Sequence, residues 1–234
     1  HAIVRDDETV IDEFIAFVAD MRDSSQHLMC AISPKNATVS DLQRVYYETS
    51  ALLPCIGYIV ELKNGSVTEY LGDGALALFK VDPENKKEAI YAAHDAAKNV
   101  IGDARDIINE ILNERYKLPP IDLGVGLAVS KTLVTLVGLP NNKHPKAFGQ
   151  CVFRATKLSG GRNEVITDAN LEALWPIGKG GTLRFTKKNI NNIDGYVISK
   201  INIAELRDSI KLKIADRLNV EDIYFCGIMD KLDK

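Results

Sequence analysis

The segment 69–79 restricts the fold of this chain more than any other stretch. Two apolar runs suited to strands, residues 67–71 and 75–81, flank the tripeptide Gly72-Asp73-Gly74. Glycines around an aspartate are typical of a tight β-hairpin turn. Such a turn also holds a carboxylate in the open, where it can bind a hard divalent cation that bridges to phosphate oxygens. Asp-Gly is equally the ordinary residue pair of a hairpin, so the tripeptide alone leaves both interpretations open.

Composition and charge exclude several classes of protein. The chain has 234 residues, of which 46% are hydrophobic, and this fits one well-packed domain with short terminal additions. The net charge of −3 speaks against general binding to nucleic acid or anionic membranes, since both need a basic excess. The cysteines form no CxxC pair, and neither a signal peptide nor an apolar stretch of roughly 18 residues is visible. The sequence therefore predicts a cytoplasmic protein with free thiols, with neither nucleic acid nor a membrane among its partners.

Apolar periodicity predicts the remaining elements. Residues 8–22 carry apolar side chains at helical spacing and are predicted to form an amphipathic helix, whereas the apolar run 27–32 is typical of a buried strand. Ser40 is predicted to cap a helix that Pro54 kinks or ends. The other predicted elements are a helix over 84–115, strands over 121–129 and 132–137, a polar loop over 138–146, a helix over 151–158, a strand over 164–167, a helix over 169–175, strands over 183–185 and 196–201, and a helical stretch over 204–234.

The order of these elements indicates an α+β sandwich, a sheet with helices on one face. We expect the amphipathic helix within residues 1–25, the sandwich over 26–201 and a helical appendage over 202–234. The first helix is either a dimer element or a helix packed on its own domain. His94 lies in the long helix and has no metal-ligand spacing to another histidine, so it is predicted to be a packed or surface residue.

Four segments, in order, resemble the class III adenylate and guanylate cyclase catalytic domains. The hairpin 69–79 resembles the family's metal-binding hairpin, and Leu28–Ile32 resembles its first strand, which usually ends in Asp followed by Ile. Residues 124–138 resemble the following strand pair, and 148–158 resemble the helix that carries the transition-state residues. The resemblance covers roughly residues 26–200 and implies a ferredoxin-like βαββαβ core with extra terminal helices. It also implies synthesis of a 3′,5′-cyclic nucleotide from a nucleoside triphosphate, with release of pyrophosphate.

The family holds two divalent metal ions, Mg²⁺ or Mn²⁺, with two Asp residues. By resemblance the second Asp is Asp73, and the first is replaced by Ala31. A methyl group cannot bind a cation, so this alignment predicts an incomplete metal site. The family's phosphate-binding turn corresponds to Ile32, Ser33 and Lys35, although the same residues also suit an ordinary polar loop.

The positions that read the base in this family hold Glu69 and Lys146, with Tyr70 beside Glu69. Adenylate cyclases use Lys and Asp at the two positions, and guanylate cyclases use Glu and Cys. A carboxylate accepts from an exocyclic amine or a ring N–H, and an ammonium donates to a carbonyl oxygen, so the pair suits guanine or cytosine. Tyr70 replaces a small residue of the family and would narrow the pocket, which favours a pyrimidine. The alternative is a surface salt bridge between Glu69 and Lys146 beside a core tyrosine.

The residues that stabilise the transition state in the family are also altered. Its Asn corresponds to Phe153 and its Arg to Lys157, with Arg154 as a substitute cation. Lys157 keeps a positive charge for the developing phosphorane, but without the bidentate fork of arginine. In the alternative interpretation, Lys157 only belongs to the solvated face of an amphipathic helix.

Three functions are consistent with these interpretations. The first is a nucleotide cyclase, a homodimer in which Asp73 of one chain faces the base-reading and transition-state residues of the other. Its substrate would be CTP or UTP and its role antiphage signalling, as for the bacterial pyrimidine cyclases of this family. The second is a catalytically degenerate pseudo-cyclase, a dimeric regulatory or nucleotide-sensing module. The third, a diguanylate cyclase-like domain, requires a Gly-Gly-Asp/Glu-Glu-Phe turn, which residues 71–75 do not provide.

Overall fold

An eight-stranded sheet organises the part of the chain that the structure describes. In this computed structural model the described residues are 3–5, 8–29, 39–176, 178 and 181–201. The strands are β1 (Thr9–Met21), β2 (Ser66–Tyr70), β3 (Gly74–Lys80), β4 (Leu123–Leu139), β5 (Asn142–Gly149), β6 (Glu164–Thr167), β7 (Leu183–Ile190) and β8 (Ile193–Lys200). The helices are α1 (Ser24–Met29), α2 (Asp41–Leu62), α3 (Lys86–Asn99), α4 (Arg105–Tyr116), α5 (Gln150–Leu158) and α6 (Ala169–Leu174). A π-helical turn, Val100–Ala104, joins α3 to α4.

The strand order places β1 inside the sheet. The order is β2-β3-β1-β4-β6-β8-β7, and β5 pairs with β4 outside this path. β1 runs antiparallel to both of its neighbours, with Phe17 opposite Ala77 of β3 and Leu127 of β4. This mixed sheet with its helices confirms the predicted α+β class. It also brings the end of β1 next to the turn between β2 and β3.

Residues 9–21 form a strand, so the amphipathic helix predicted over 8–22 is wrong. The six residues from Phe14 to Ala19 are all apolar and all buried. Such a run can match helical spacing, but it also suits a central strand that is covered on both faces. Pairing with β3 and β4 decides between the two structures. The strand belongs to the same sheet as β3 and β4, and the domain boundaries expected at residues 26 and 202 stay predictions.

The strand predicted over 27–32 is also wrong, because Ser24–Met29 form helix α1. The sheet position beside β3 is already filled by β1, so this segment has no free strand to pair with there. His27 ties α1 to α2, since its Nδ1 lies 2.8 Å from the buried carboxylate of Glu48. The same carboxylate accepts from Nε of Arg44 at 2.8 Å. Residues 30–38 lie outside the described part of the chain.

Helix α2 begins where the sequence predicts and ends later than expected. The hydroxyl of Ser40 accepts from the N–H of Gln43 at 3.3 Å, which forms the predicted cap. The helix then continues through Pro54 to Leu62 instead of ending at the proline. Proline removes only one helical hydrogen bond, and packing of the helix on the sheet can offset that loss.

Two further predictions are corrected. The helix predicted over 84–115 is interrupted within its length, where Gly102 leaves helical backbone angles. The polar loop predicted over 138–146 is instead part of a hairpin, because β4 continues to Leu139 and pairs with β5. The appendage expected over 202–234 lies outside the described residues.

Helices cover both faces of the sheet, not one face as predicted. Successive residues of a strand point to opposite faces, so the same central strands supply two apolar layers. The layer toward α2 and α3 includes Ile15, Phe17, Ile56, Phe79 and Ile90. The layer toward α5 includes Phe14, Val18, Leu78, Cys151 and Ala155.

Two further sequence predictions concern membrane-spanning segments and free cysteines. Within the described residues, none of the helices combines the length and the apolar character needed to cross a membrane. Cys55 and Cys151 both carry free thiols.

Candidate active site

The backbones of Asp20 and Asp73 lie beside each other at the ends of neighbouring strands. Asp20 near the end of β1 is the pairing partner of Gly74, the first residue of β3. The N–H of Met21 donates to the carbonyl oxygen of Asp73 at 3.1 Å, which fixes the β2–β3 turn against the end of β1. The other strand neighbour of Asp20 is also a glycine, Gly124 of β4. Neither strand therefore places a side chain directly beside the Asp20 carboxylate.

Asp20 is a candidate metal ligand that the sequence patterns did not single out. The first metal position was assigned to Ala31, but the strand that adjoins the hairpin is β1, and its apolar run ends in Asp20 followed by Met21. The family's first strand usually ends in Asp followed by Ile, and here Met21 stands in the place of the Ile. Asp20 is therefore a candidate for the first metal position in place of residue 31. Ala31 lies outside the described residues.

Arg22 places a positive charge near both carboxylates. Its guanidinium donates to the carboxylate of Asp20. Burial lowers the pKa of Arg22, while the negative charges of Asp73 and Asp23 act in the opposite direction. Its Nε is buried and, within the described residues, has no hydrogen-bond partner. Arg22 is thus held by electrostatic attraction in a site that leaves one of its donors unsatisfied.

A second arginine, Arg162, lies at the exposed edge of the site. Arg162, on the loop after α5, donates to the carboxylates of both Asp23 and Asp122. Asn163 donates to Asp122 at 2.7 Å and accepts from the N–H of Leu123 at 3.1 Å. The Asn163 hydrogen bond, with help from Arg162, lowers the pKa of Asp122. This network ties the loop after α5 to the segment that follows β1.

The donor set of the aspartate pair fits a hard divalent cation. Carboxylates are the oxygen ligands that Mg²⁺ prefers, and Mg²⁺ is usually held by one or two of them together with water and substrate phosphates. No group of three or more His, Cys, Asp or Glu side chains in the described residues is arranged for a metal. Asp20 and Asp73 would therefore hold Mg²⁺ or Mn²⁺ only with oxygens from a bound nucleotide or water.

The structure brings together two of the three residues predicted to read the base. Lys146 donates to Glu69, so the charges that were expected to meet the base are paired with each other. Glu69 pairs across the sheet with Leu76, which belongs to the layer that faces α5. Tyr70 pairs with Ala75, in the opposite layer, and its hydroxyl lies against Gly57 of α2. Tyr70 is exposed and not a core residue, and it does not share a face with the ion pair.

The two cations predicted on α5 have different environments. Arg154 donates to the buried carboxylate of Asp168 at 3.2 Å, and Asp168 caps α6 by accepting from the N–H of Leu171. Burial raises the pKa of Asp168, against the effect of these hydrogen bonds. Lys157 instead is exposed, with its Nζ 5.8 Å from the ring centre of Phe153. Arg154 is therefore engaged within the fold, whereas Lys157 is the cation that a ligand can reach.

The phosphate-binding turn predicted at Ile32, Ser33 and Lys35 lies outside the described residues. The candidate site is therefore defined by Asp20, Asp73 and the arginines around them.

Solved structures of nucleotide cyclases share this fold. The adenylyl cyclase CyaB from P. aeruginosa matches with a TM-score of 0.65 at 14% identity, over 83% of this chain and 97% of that one. The guanylyl cyclase Cya2 matches with a TM-score of 0.64 at 12% identity, over 83% and 94%. The guanylate cyclase domain of RhGC from Catenaria anguillulae, solved in complex with GTP, matches with a TM-score of 0.60 at 12% identity, over 82% and 98%.

These comparisons establish the architecture of the chain. It has the fold of adenylyl and guanylyl cyclase catalytic domains, as the sequence resemblance implied. No protein-family model matches the sequence, and no curated protein is significantly similar to it.

Proposed function

We propose that this protein is a nucleotide cyclase that converts a nucleoside triphosphate into a 3′,5′-cyclic nucleotide and pyrophosphate. The observation that carries the proposal is the placement of Asp20 beside Asp73 at the ends of neighbouring strands. In the reaction the ribose 3′-oxygen attacks the α-phosphorus, loses its proton, and displaces pyrophosphate. A divalent metal at this pair would favour ionisation of the 3′-hydroxyl and offset the charge of the triphosphate.

A second copy of the chain would complete the site. Lys157 is exposed on α5, and as a positive charge it would stabilise the oxygens around the reacting phosphorus. The ion pair of Glu69 and Lys146 lies on the sheet face toward α5. We place both beside the aspartates of the partner subunit, in a homodimer with composite sites.

The contact between Glu69 and Lys146 would break so that both side chains can bind the base. The carboxylate would accept from the amine of cytosine or the ring N–H of uracil, and the ammonium would donate to a carbonyl oxygen. Adenine has no carbonyl oxygen and suits the pair least. We propose CTP or UTP as the substrate. Because Tyr70 lies on the other face of the sheet, this proposal rests on Glu69 and Lys146 alone, and GTP is its main competitor.

Product analysis tests the reaction and the base together. The protein is incubated with each of the four ribonucleoside triphosphates and Mn²⁺, and the products are identified by mass spectrometry. Asp20→Asn and Asp73→Asn should each lower the rate by at least about 100-fold, because each removes a charged metal ligand. A cyclic nucleotide formed equally well by both variants would exclude the aspartate pair as the catalytic site.

We propose that the product serves antiphage signalling in the cytoplasm, the role of the bacterial pyrimidine cyclases that the sequence resembles. Cells that carry the wild-type gene should resist phage in a plaque assay, whereas cells that carry Asp73→Asn should not. Equal plaque counts would argue against this role without affecting the enzymatic proposal.

The second candidate is a pseudo-cyclase. It is favoured by Phe153, an exposed ring at the position of the family's transition-state Asn. Nucleotide binding without any product from the four triphosphates would establish this alternative.

A further inference from the structure

We propose that Arg22 is a mobile counter-ion, paired with Asp20 in the metal-free protein and transferred to the triphosphate when metal and nucleotide bind. The proposal rests on the proposed function, because it assumes that Asp20 and Asp73 are metal ligands. It assigns Arg22 a role in positioning the triphosphate and in coupling the binding of metal to the binding of nucleotide.

Arg22 and a bound metal ion would compete for Asp20. The guanidinium of Arg22 donates to the same carboxylate that would bind the metal. A divalent cation at Asp20 and Asp73 repels a neighbouring guanidinium, so metal binding must displace it. In the absence of nucleotide, Arg22 therefore weakens metal binding at Asp20.

The Arg22 side chain can move without disturbing the fold. Its backbone N–H donates to the carbonyl oxygen of Asp122 at 2.8 Å, and the preceding Met21 is bonded to Asp73 at 3.1 Å. These two hydrogen bonds hold the main chain at Met21 and Arg22 in place. A displacement of the guanidinium therefore requires rotation of side-chain torsions only.

Within the described residues, Arg22 has an unsatisfied donor in its position beside Asp20. Its buried Nε has no hydrogen-bond partner in the described part of the chain, and a buried donor without a partner is unfavourable. A guanidinium presents its donors as a planar fork that matches phosphate oxygens. A triphosphate bound at the metal would offer such oxygens within the reach of this side chain.

Arg162 does not compete with a metal ion for Asp20. Its guanidinium is already shared by Asp23 and Asp122, and it is exposed at the rim. Arg22 differs because its partner is Asp20 itself.

Binding measurements with Arg22→Gln test the proposal without relying on activity. Mn²⁺ affinity is measured by electron paramagnetic resonance or calorimetry, with and without a non-hydrolysable triphosphate. We expect the variant to bind Mn²⁺ about 3–10-fold more tightly than wild type without nucleotide, and to bind the triphosphate about 3–10-fold more weakly with metal present. The positive coupling between the two ligands should be correspondingly reduced.

Two further variants serve as controls. Arg184→Gln, at an exposed position of β7, makes the same change in net charge and should leave both affinities at wild-type values. Arg22→Lys keeps the charge but not the fork, so it should retain the wild-type Mn²⁺ affinity and still lose triphosphate affinity. This lysine variant tests the proposal even if Arg22→Gln fails to fold.

The results with these variants distinguish a wrong metal site from a wrong role of Arg22. If Asp20→Asn leaves Mn²⁺ binding unchanged, the metal site itself is wrong. If Asp20→Asn abolishes Mn²⁺ binding and Arg22→Gln changes neither affinity, only the role of Arg22 is wrong. Weaker Mn²⁺ binding by folded Arg22→Gln without nucleotide would also overturn the proposal, because it would show that Arg22 supports the metal site and does not compete for it.

Discussion

His94 illustrates how burial acts on a single titratable group. Its ring packs edge-on against Trp175, with ring centres 5.3 Å apart. Burial, assisted by the charge of Lys98, lowers the pKa of His94 to about 4. The sequence predicted a packed or surface residue, and the structure shows a buried one.

This pKa predicts a loss of stability in acid. The ordinary pKa of 6.5 exceeds the folded value of about 4, so the unfolded chain takes up the proton first as the pH falls. The free energy of unfolding should therefore be level above pH 6.5 and decrease by roughly 3 kcal/mol as the pH falls toward 4. Urea unfolding of wild type and His94→Gln between pH 7 and about pH 4 should show a shallower decrease for the variant. His144→Gln, at an exposed position of β5, should follow wild type.

The ion pair of Glu69 and Lys146, which we propose to read the base, can be tested by exchanging its charges. Exchanging its charges in the double variant Glu69→Lys, Lys146→Asp reproduces the residue types that adenylate cyclases use. An aspartate would then accept from the adenine amine, and a lysine would donate to a ring nitrogen. The ratio of kcat/KM for ATP to that for the wild-type substrate should rise by about 10-fold or more. An unchanged ratio would show that this pair does not meet the base.

At the scale of elements, α5 carries two cations with different tasks. Arg154 connects α5 to α6 through Asp168, whose side chain is 1% exposed. Lys157, one turn further along, is exposed, and its Nζ lies 5.8 Å from the ring centre of Phe153. The helix thus uses one cation to hold its neighbour and presents the other to solvent.

Unfolding measurements should distinguish the two cations. Arg154→Ala leaves a buried carboxylate without its partner and should lower the free energy of unfolding by about 1–2 kcal/mol, a value reduced for the partial exposure of the arginine. Lys157→Ala should unfold like wild type and lose cyclase activity. If Lys157→Ala keeps full activity while Arg154→Ala remains stable and inactive, the two assignments are reversed.

At the scale of the whole molecule, our proposal places the active sites between two chains. Phe148 and Phe153 are 56% and 60% exposed, which is unusual for large aromatic rings and suits a protein interface. Phe153 belongs to the same helix as Lys157. A second chain that covers these rings would bring Lys157 toward the aspartates of its partner.

Mixing inactive variants tests the composite site. Asp73→Asn and Lys157→Ala should each be inactive as homodimers. After equal amounts are mixed and allowed to exchange subunits, half of the dimers are mixed and each holds one intact site, so roughly a quarter of the wild-type activity should return. Sites built within single chains would give no recovery.

The sequence by itself determined the features that depend on neighbouring residues. The hairpin around Gly72-Asp73-Gly74 was predicted because its turn chemistry is local, and the Ser40 cap was predicted for the same reason. The hairpin and the cap each depend on signals within a few residues of chain. The fold class was also predicted from the order of the cyclase-like segments, although Ser24–Met29 form a helix where the first strand was expected.

Only the tertiary structure decided which aspartate lies beside Asp73 and which face of the sheet carries Glu69. The apolar pattern of residues 14–19 is equally compatible with a helix and with a buried strand. Pairing with β3 and β4 selects the strand. That pairing, not the spacing along the chain, identifies Asp20 as the neighbour of Asp73. The faces of Glu69 and Tyr70 depend in the same way on strand register, which shifts between Val67 and Glu69. Register and pairing are set by contacts between distant segments, so a pattern read along a single sequence does not determine them.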